Sequence, residues 1–217
     1  FTALSYTLFQ QRIQQVAYYR SAMNPLYDSD SYMIRQKVLK LFGETFHIYS
    51  DESMTQLVGY CKQKAFKLKE DIRIFNDEEQ TTELLTIKAR SVLDFGATYD
   101  IVDATTGESL GALRRKGLKS ILKDSWIVLA PGDVELGTLV EESSSLALFR
   151  RFLPFVKWIA PQEFDMVLNH GGGVRFTQKH NPFVRKLKIN GVKSSGIDPR
   201  MVVAAGILLS AIEGRQN

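Results

Sequence analysis

One cysteine, Cys61, in 217 residues leaves no means of building an internal disulfide framework or a multi-cysteine metal site. Such sparing use of cysteine fits a reducing compartment. The three histidines, His47, His170 and His180, are scattered, and no H-E-x-x-H helix, G-x-S-x-G elbow or Walker loop accompanies them. The glycines of "NHGGGV" (169–174) therefore suit a hairpin turn better than an oxyanion loop. Asp77, Glu78 and Glu79 lack the D-x-D-x-D-G spacing of a calcium loop and read as a solvated turn. No apolar run approaches the ~20 residues that a bilayer-spanning helix needs. With no catalytic constellation, no metal site and no cofactor motif, the chain reads as a non-enzyme.

The longest oily stretch is Met201 to Ile212, in which Ser210 is the sole polar residue. Asp198 can cap a helix there, Pro199 suits its first position and Gly214 the position just past its end. Arg200 and Glu213 flank the run. Met201, Val202, Val203, Ile207, Leu208, Leu209 and Ile212 leave no polar stripe at helical period, so the helix must be covered by protein on every side.

The cover is written in a repeat. "FHIYSDESMTQLVGY" (46–60), "IRIFNDEEQTTELLT" (72–86), "YDIVDATTGESLGAL" (99–113) and "WIVLAPGDVELGTL" (126–139) share a bulky residue, an Ile or Val two positions on, a turn-rich patch and a renewed apolar cluster. Ile48, Ile74, Ile101 and Val128 follow one another at 26, 27 and 27 residues, and Gly59, Leu85, Gly111 and Gly137 recur every 26. Regular spacing of this kind marks a repeated supersecondary unit, and the period-two alternation within each copy predicts a β-hairpin. "FDMVLNHGGGVRF" (164–176) reads as a fifth copy, displaced by about 11 residues, which predicts a short inserted helix near 143–153. A strand near Lys37–Phe42 leads in and "FVRKLKI" (183–189) follows, giving about 12 strands.

A closed antiparallel barrel of about 12 strands is too wide to be filled by its own side chains, and a helix about 10–12 Å across fits such an interior. The expectation is a mainly β fold: a barrel around the central C-terminal helix. Residues 23–217 read as a single domain, and residues 1–22 as an N-terminal extension ahead of Met23 or as a peripheral helix.

That architecture, with "YMIRQKVLKLFGETFHIYS", "LGALRRKGLKSILKDSWIVL", "LALFRRFLP" and "IDPRMVVAAGILLSAIE" in this order, resembles the LURP-one-related family of the tubby C-terminal-like superfamily, which also holds tubby proteins and phospholipid scramblases. The resemblance covers about residues 31–213. It departs from scramblases in lacking a proline-rich N-terminal arm and a cysteine cluster. It implies a non-catalytic barrel that docks on anionic phospholipid, cytoplasmic or peripheral at the membrane.

The chain is mildly basic, with net charge +4. Candidate contacts to an anionic ligand or lipid are Arg114, Arg115, Lys116, Lys119 and Lys123 in an acid-free run, Arg150 and Arg151 on the expected inserted helix, and Lys186 and Lys188 in the acid-free stretch 171–197. "LFRRFLPFVKWIAP" (148–161) mixes rings with bases as interfacial segments do; capping a barrel end is an equal reading. Competing functions are a scramblase-like protein, a nucleic-acid-associated regulator, which would want rings interleaved with bases, and a structural or partner-binding module of unknown ligand.

Overall fold

The computed structural model describes residues 25–39, 43–63, 71–90, 97–116, 125–142, 162–179 and 184–212. They form twelve strands: β1 (Ser31–Leu39), β2 (Gly43–Tyr49), β3 (Leu57–Gln63), β4 (Asp71–Phe75), β5 (Glu83–Ala89), β6 (Thr98–Asp103), β7 (Ser109–Arg115), β8 (Ser125–Leu129), β9 (Glu135–Glu141), β10 (Gln162–Leu168), β11 (Gly173–Lys179) and β12 (Val184–Asn190). Each strand is antiparallel to its neighbour in sequence, and β12 closes on β1, so the sheet has no free edge. The five expected hairpins are present, with β1 and β12 as the closing pair. The leading strand begins at Ser31 rather than near Lys37, because Tyr32, Ile34 and Gln36 alternate inward against Met33, Arg35 and Lys37. The insertion near 143–153 and the extension 1–22 lie outside the described residues.

The repeat has a structural meaning beyond the hairpin. In four copies the register slips just after the anchor, at Ile48/Tyr49, Ile74/Phe75, Ile101/Val102 and Val128/Leu129. The extra residue on the partner strand is Val58, Leu84, Leu110 or Leu136, again 26 apart. A bulge adds twist, and repeating it at one level helps a sheet to curl and close. The neighbouring glycines permit close approach: a Cβ on Gly111, whose φ is +133°, would stand 2.1 Å from the Leu129 carbonyl oxygen. The turns are built alike as well. Asp51 accepts from the Thr55 and Gln56 amides, Asp77 from Thr81, and Asp103 from Thr105 and Thr106.

A short helix, α1 (Val192–Ser195), leads to the central helix α2 (Pro199–Ile212). Asp198 caps α2 as expected, its Oδ1 accepting from the Arg200 amide at 2.9 Å. Residues 200 to 211 are all buried. The helix lies hard against the β1–β12 wall: a Cβ on Gly206 would be 2.7 Å from Ile34 Cδ1 and 2.9 Å from Ile189 Cδ1. Enclosing Val202, Val203, Ile207, Leu208 and Leu209 contributes roughly 2 kcal/mol each, on the order of 10 kcal/mol in sum. That is comparable with the whole net stability of a domain, about 5–15 kcal/mol, so α2 cannot leave without unfolding the barrel. Above its start, the Tyr32 hydroxyl donates to the Leu26 carbonyl at 2.8 Å and holds the buried Leu26 in place.

Candidate functional site

Among the described residues the hairpin-turn end of the barrel is rich in acids, and the repeat is the reason. That end carries Asp51, Asp77 and Asp103 at 26-residue intervals, with Glu52, Glu78, Glu79 and Glu108 beside them. At the other end the second strand of each early hairpin finishes on an outward base: Lys62, Lys88 and Arg114, again 26 apart. Lys116 and Lys179 stand at the same rim, exposed.

The densest positive charge crosses three strands. Arg35 on β1 lies directly opposite Lys186 on β12, which lies opposite Lys179 on β11, and Lys37 follows Arg35 two residues on. All four point outward, since Gln36, Leu187 and Gln178 on the other face of these strands are buried. None of the four has an ion pair among the described residues. Like charges directly opposite each other in a sheet are unfavourable, by about 0.2–1 kcal/mol a pair.

The residues named from the sequence are placed unevenly. Lys186 belongs to this row. Lys188 instead pairs with Glu52 of the β2–β3 turn. Arg114 donates to Asp133 at 3.2 Å, and Asp133 is shared with Arg90 at 2.7 Å. Arg115 faces inward with Leu113 and lies over the Trp126 ring, 6.0 Å from its centre. Lys116 is exposed at the end of β7, five strands from β12 around the ring. Lys119, Lys123, Arg150, Arg151 and the segment 148–161 lie outside the described residues. The acid-free stretch 171–197 does not remain acid-free in space: Arg175 meets Asp165 at 2.9 Å and Lys193 meets Asp28 at 3.1 Å. Arg35 lies ahead of the strand expected near Lys37–Phe42, and only the observed start of β1 at Ser31 brings it into this row.

A second charged cluster is structural. Arg200, read from sequence as a flank of the oily run, is 4% exposed and meets Asp103, itself 2% exposed. Its Nε and Nη2 donate to Asp198 at 2.9 and 2.5 Å, Glu108 lies 3.6 Å away, and the Tyr27 ring covers the guanidinium at 5.5 Å. Asp103 uses Oδ1 for its own turn and Oδ2 for Arg200, so one carboxylate ties the third hairpin to the start of α2.

His47 and His170 both serve structural contacts. His47 Nε2 is 3.0 Å from Glu78, and its ring packs edge-on to Tyr60; burial, chiefly, pushes its pKa down, with Lys37 and Arg35 adding to the effect. His170 Nε2 sits 3.0 Å from the Ser195 carbonyl, joining the β10–β11 turn to α1, and the "HGGG" segment is that turn. His180 lies outside the described residues. Among the described residues no group of His, Cys, Asp and Glu could hold a metal ion, and no helix is long and apolar enough to cross a membrane. Cys61 is fully buried on the inner wall, and burial pushes its thiol up to about 12. It is expected to resist a thiol-specific reagent in the native protein and to react fully in denaturant; labelling of the native protein within minutes would show that the barrel opens.

The arrangement defines a class: a closed, twelve-stranded antiparallel barrel whose core is a C-terminal helix. The family model for LURP-one-related proteins matches residues 57–210, more than half of the chain, and the chain belongs to that family. Comparison with curated proteins finds no match.

Proposed function

We propose that this barrel is a non-catalytic docking module that lies against anionic phospholipid headgroups with the rim formed by β1, β12 and β11. The observation that carries the reading is the register row Arg35–Lys186–Lys179, with Lys37 beside it and no ion-pairing acid among the described residues. A sheet that tolerates like charges side by side gains stability when an anionic surface arrives. Resemblance to the tubby-like superfamily points the same way. Each base near an anionic surface contributes about 1 kcal/mol, so four give on the order of 4 kcal/mol, a Kd near the millimolar range. Docking of this strength is peripheral and weakens with salt.

A scramblase-like role asks more of α2 than its enclosure allows. A nucleic-acid role would need open rings beside the bases. Among the described residues the rings beside the row, His47 and Tyr60, are 5% and 6% exposed and pack on each other. The compartment that suits the reading is the cytoplasm, at its membrane face.

The test is co-sedimentation with phosphatidylcholine vesicles, with and without phosphatidylserine, at low and high salt. Wild-type protein is expected to bind only the acidic vesicles and to leave them as salt rises. The Arg35→Glu/Lys179→Glu/Lys186→Glu protein is expected to lose at least about tenfold in affinity. Charge reversal at Arg114, Arg115 and Lys116 is expected to cost less, since Asp133 and Trp126 already occupy two of the three. No binding of the wild type to acidic vesicles at low salt would end the lipid reading, and undiminished binding by the triple variant would end the assignment to this face.

A further inference from the structure

Strands β1, β12 and β11 also have an inner face, and at the same end of the barrel it is polar. Ile34 and Leu187 both pack against Gly206 of α2, which fixes the inward direction on β1 and β12. Gln36, two residues on from Ile34, and Arg185, two before Leu187, therefore face inward and stand directly opposite each other. Gln178 is opposite Leu187 on β11. Three adjoining strands thus present an amide and a guanidinium directly opposite each other and a second amide one inward position away, at the edge of the apolar layer around the helix.

Gln36 and Gln178 are each 1% exposed, and among the described residues neither the nitrogen nor the oxygen of either side-chain amide has a hydrogen-bond partner. Native proteins pair nearly all such groups, and leaving four atoms of two neighbouring side chains unpaired is costly. The strand ladders do not require glutamine at either position; leucine would fit the face and remove the penalty. Arg185 is half-buried, and burial pushes its guanidinium down, opposed by the Glu44 carboxylate on β2. Among the described residues it has no ion pair. A half-buried guanidinium in this position is stabilised by an incoming anion. Its planar fork matches phosphate or carboxylate, and the two primary amides add four N–H donors from flanking strands. Donors on three adjoining strands of one inner wall can be shared among the several oxygens of a phosphate group. The charge of Glu44 disfavours a polyanion and selects for low ligand charge.

We infer that Gln36, Arg185 and Gln178 form a binding site inside the barrel mouth for a single phosphate group, singly charged as in a phosphodiester, carried by a lipid headgroup or a small soluble ester. The site goes beyond the docking reading and does not depend on it, because a soluble phosphate ester needs no membrane to bind.

The experiment uses the full chain and soluble probes, inorganic phosphate and glycerophosphoglycerol, titrated against chloride at constant ionic strength with melting temperature and calorimetry as readouts. Wild-type protein is expected to bind both, the diester more tightly. Arg185→Met and Gln178→Leu are each expected to weaken binding at least tenfold. Gln178→Leu should do so while melting no lower than wild type, since the unpaired amide goes with it. Arg185→Lys keeps the charge without the fork; it should show the same loss and serves if the methionine variant does not fold. In titrations repeated at several salt concentrations, the Arg35→Glu/Lys179→Glu/Lys186→Glu protein should lose affinity for the soluble probes mainly at low ionic strength and recover it as salt screens the rim charges. The loss in Arg185→Lys persists at every salt concentration, which separates this site from the rim. Absence of binding by the wild type, binding unchanged in Gln178→Leu and Arg185→Lys, or binding abolished only by the rim substitutions would overturn the proposal. Vesicles containing phosphatidylglycerol then identify the source: weaker binding by Gln178→Leu than by wild type marks a headgroup, and equal binding marks the soluble ester.

Discussion

Replacing Arg200 with methionine is expected to lower the unfolding free energy by about 3–5 kcal/mol, the usual result of removing one partner from a buried ion pair. The size follows from where the charge is left. Asp103 is 2% exposed, and without the guanidinium its Oδ2 has no counter-charge. A cation in the first turn of a helix is also opposed by the macrodipole, yet here three carboxylates, Asp103, Asp198 and Glu108, surround it. The position is therefore held by the acids and not by the helix. Adding Asp103→Asn to the methionine variant removes the stranded charge and keeps an Oδ1 acceptor for the Thr105 and Thr106 amides. It is expected to restore much of the loss, and a denaturant-melt double-mutant cycle measures how much. A loss below about 1 kcal/mol for the single variant would mean that the pair is not buried as described.

The same pair predicts a pH dependence. Burial by itself raises the Asp103 pKa; hydrogen bonds from Thr105 and the Arg200 guanidinium outweigh it and hold the carboxyl below its ordinary value. A carboxyl depressed in the folded state contributes stability that is complete above the unfolded pKa, about 3.9, and is lost as pH falls through the lower folded value. Arg200→Met removes a depressing contact and leaves the burial, so protonation relieves the variant sooner. The gap between wild type and variant should be widest near neutrality and narrow below about pH 4. Urea melts at the two pH values check it, and a gap independent of pH would point to lost packing instead of charge.

The barrel was readable because its signals are periodic. Hairpin after hairpin repeats the same alternation, and an oily run without a stripe has few places to go. Charge was harder to place, for reasons particular residues make clear. Asp51, Asp77 and Asp103 occupy one repeat position and look alike in sequence; only the third turn meets the start of α2, which is how Asp103 becomes buried and Arg200 becomes its partner. An acid-free stretch of sequence suggests a basic face, but pairing partners come from other strands, as Asp165 does for Arg175 and Glu52 for Lys188. Part of what was missed was legible all the same. The alternation of Gly111 and Leu113 puts Arg115 on the inner wall, and grouping it with Arg114 and Lys116 by charge passed over that pattern. The Gln36–Arg185–Gln178 trio spans residues about 150 apart in the chain, and only barrel closure between β1 and β12 brings them together.

Closure around the helix carries the second large effect. Gly206→Leu is expected to destabilise the protein by about 3 kcal/mol or more, at the upper end of overpacking costs. The first added carbon already falls 2.7 Å from Ile34 Cδ1 and 2.9 Å from Ile189 Cδ1, with Leu187 Cδ2 at 3.3 Å. Three further carbons have no space on that side, and α2 cannot retreat, since on its other side its own Met201 Cε stands 3.2 Å from where a Cβ on Gly111 of β7 would be. Gly206→Ala separates crowding from helix chemistry. It asks only for small shifts of methyl ends and gains about 1 kcal/mol in helix propensity, so its net effect should stay within about 1 kcal/mol of wild type. Thermal and denaturant melts of the two variants decide the matter. If leucine were accepted as easily as alanine, the face of α2 at Gly206 would be open, and the tight helix-in-barrel packing on which both proposed binding surfaces are built would be wrong.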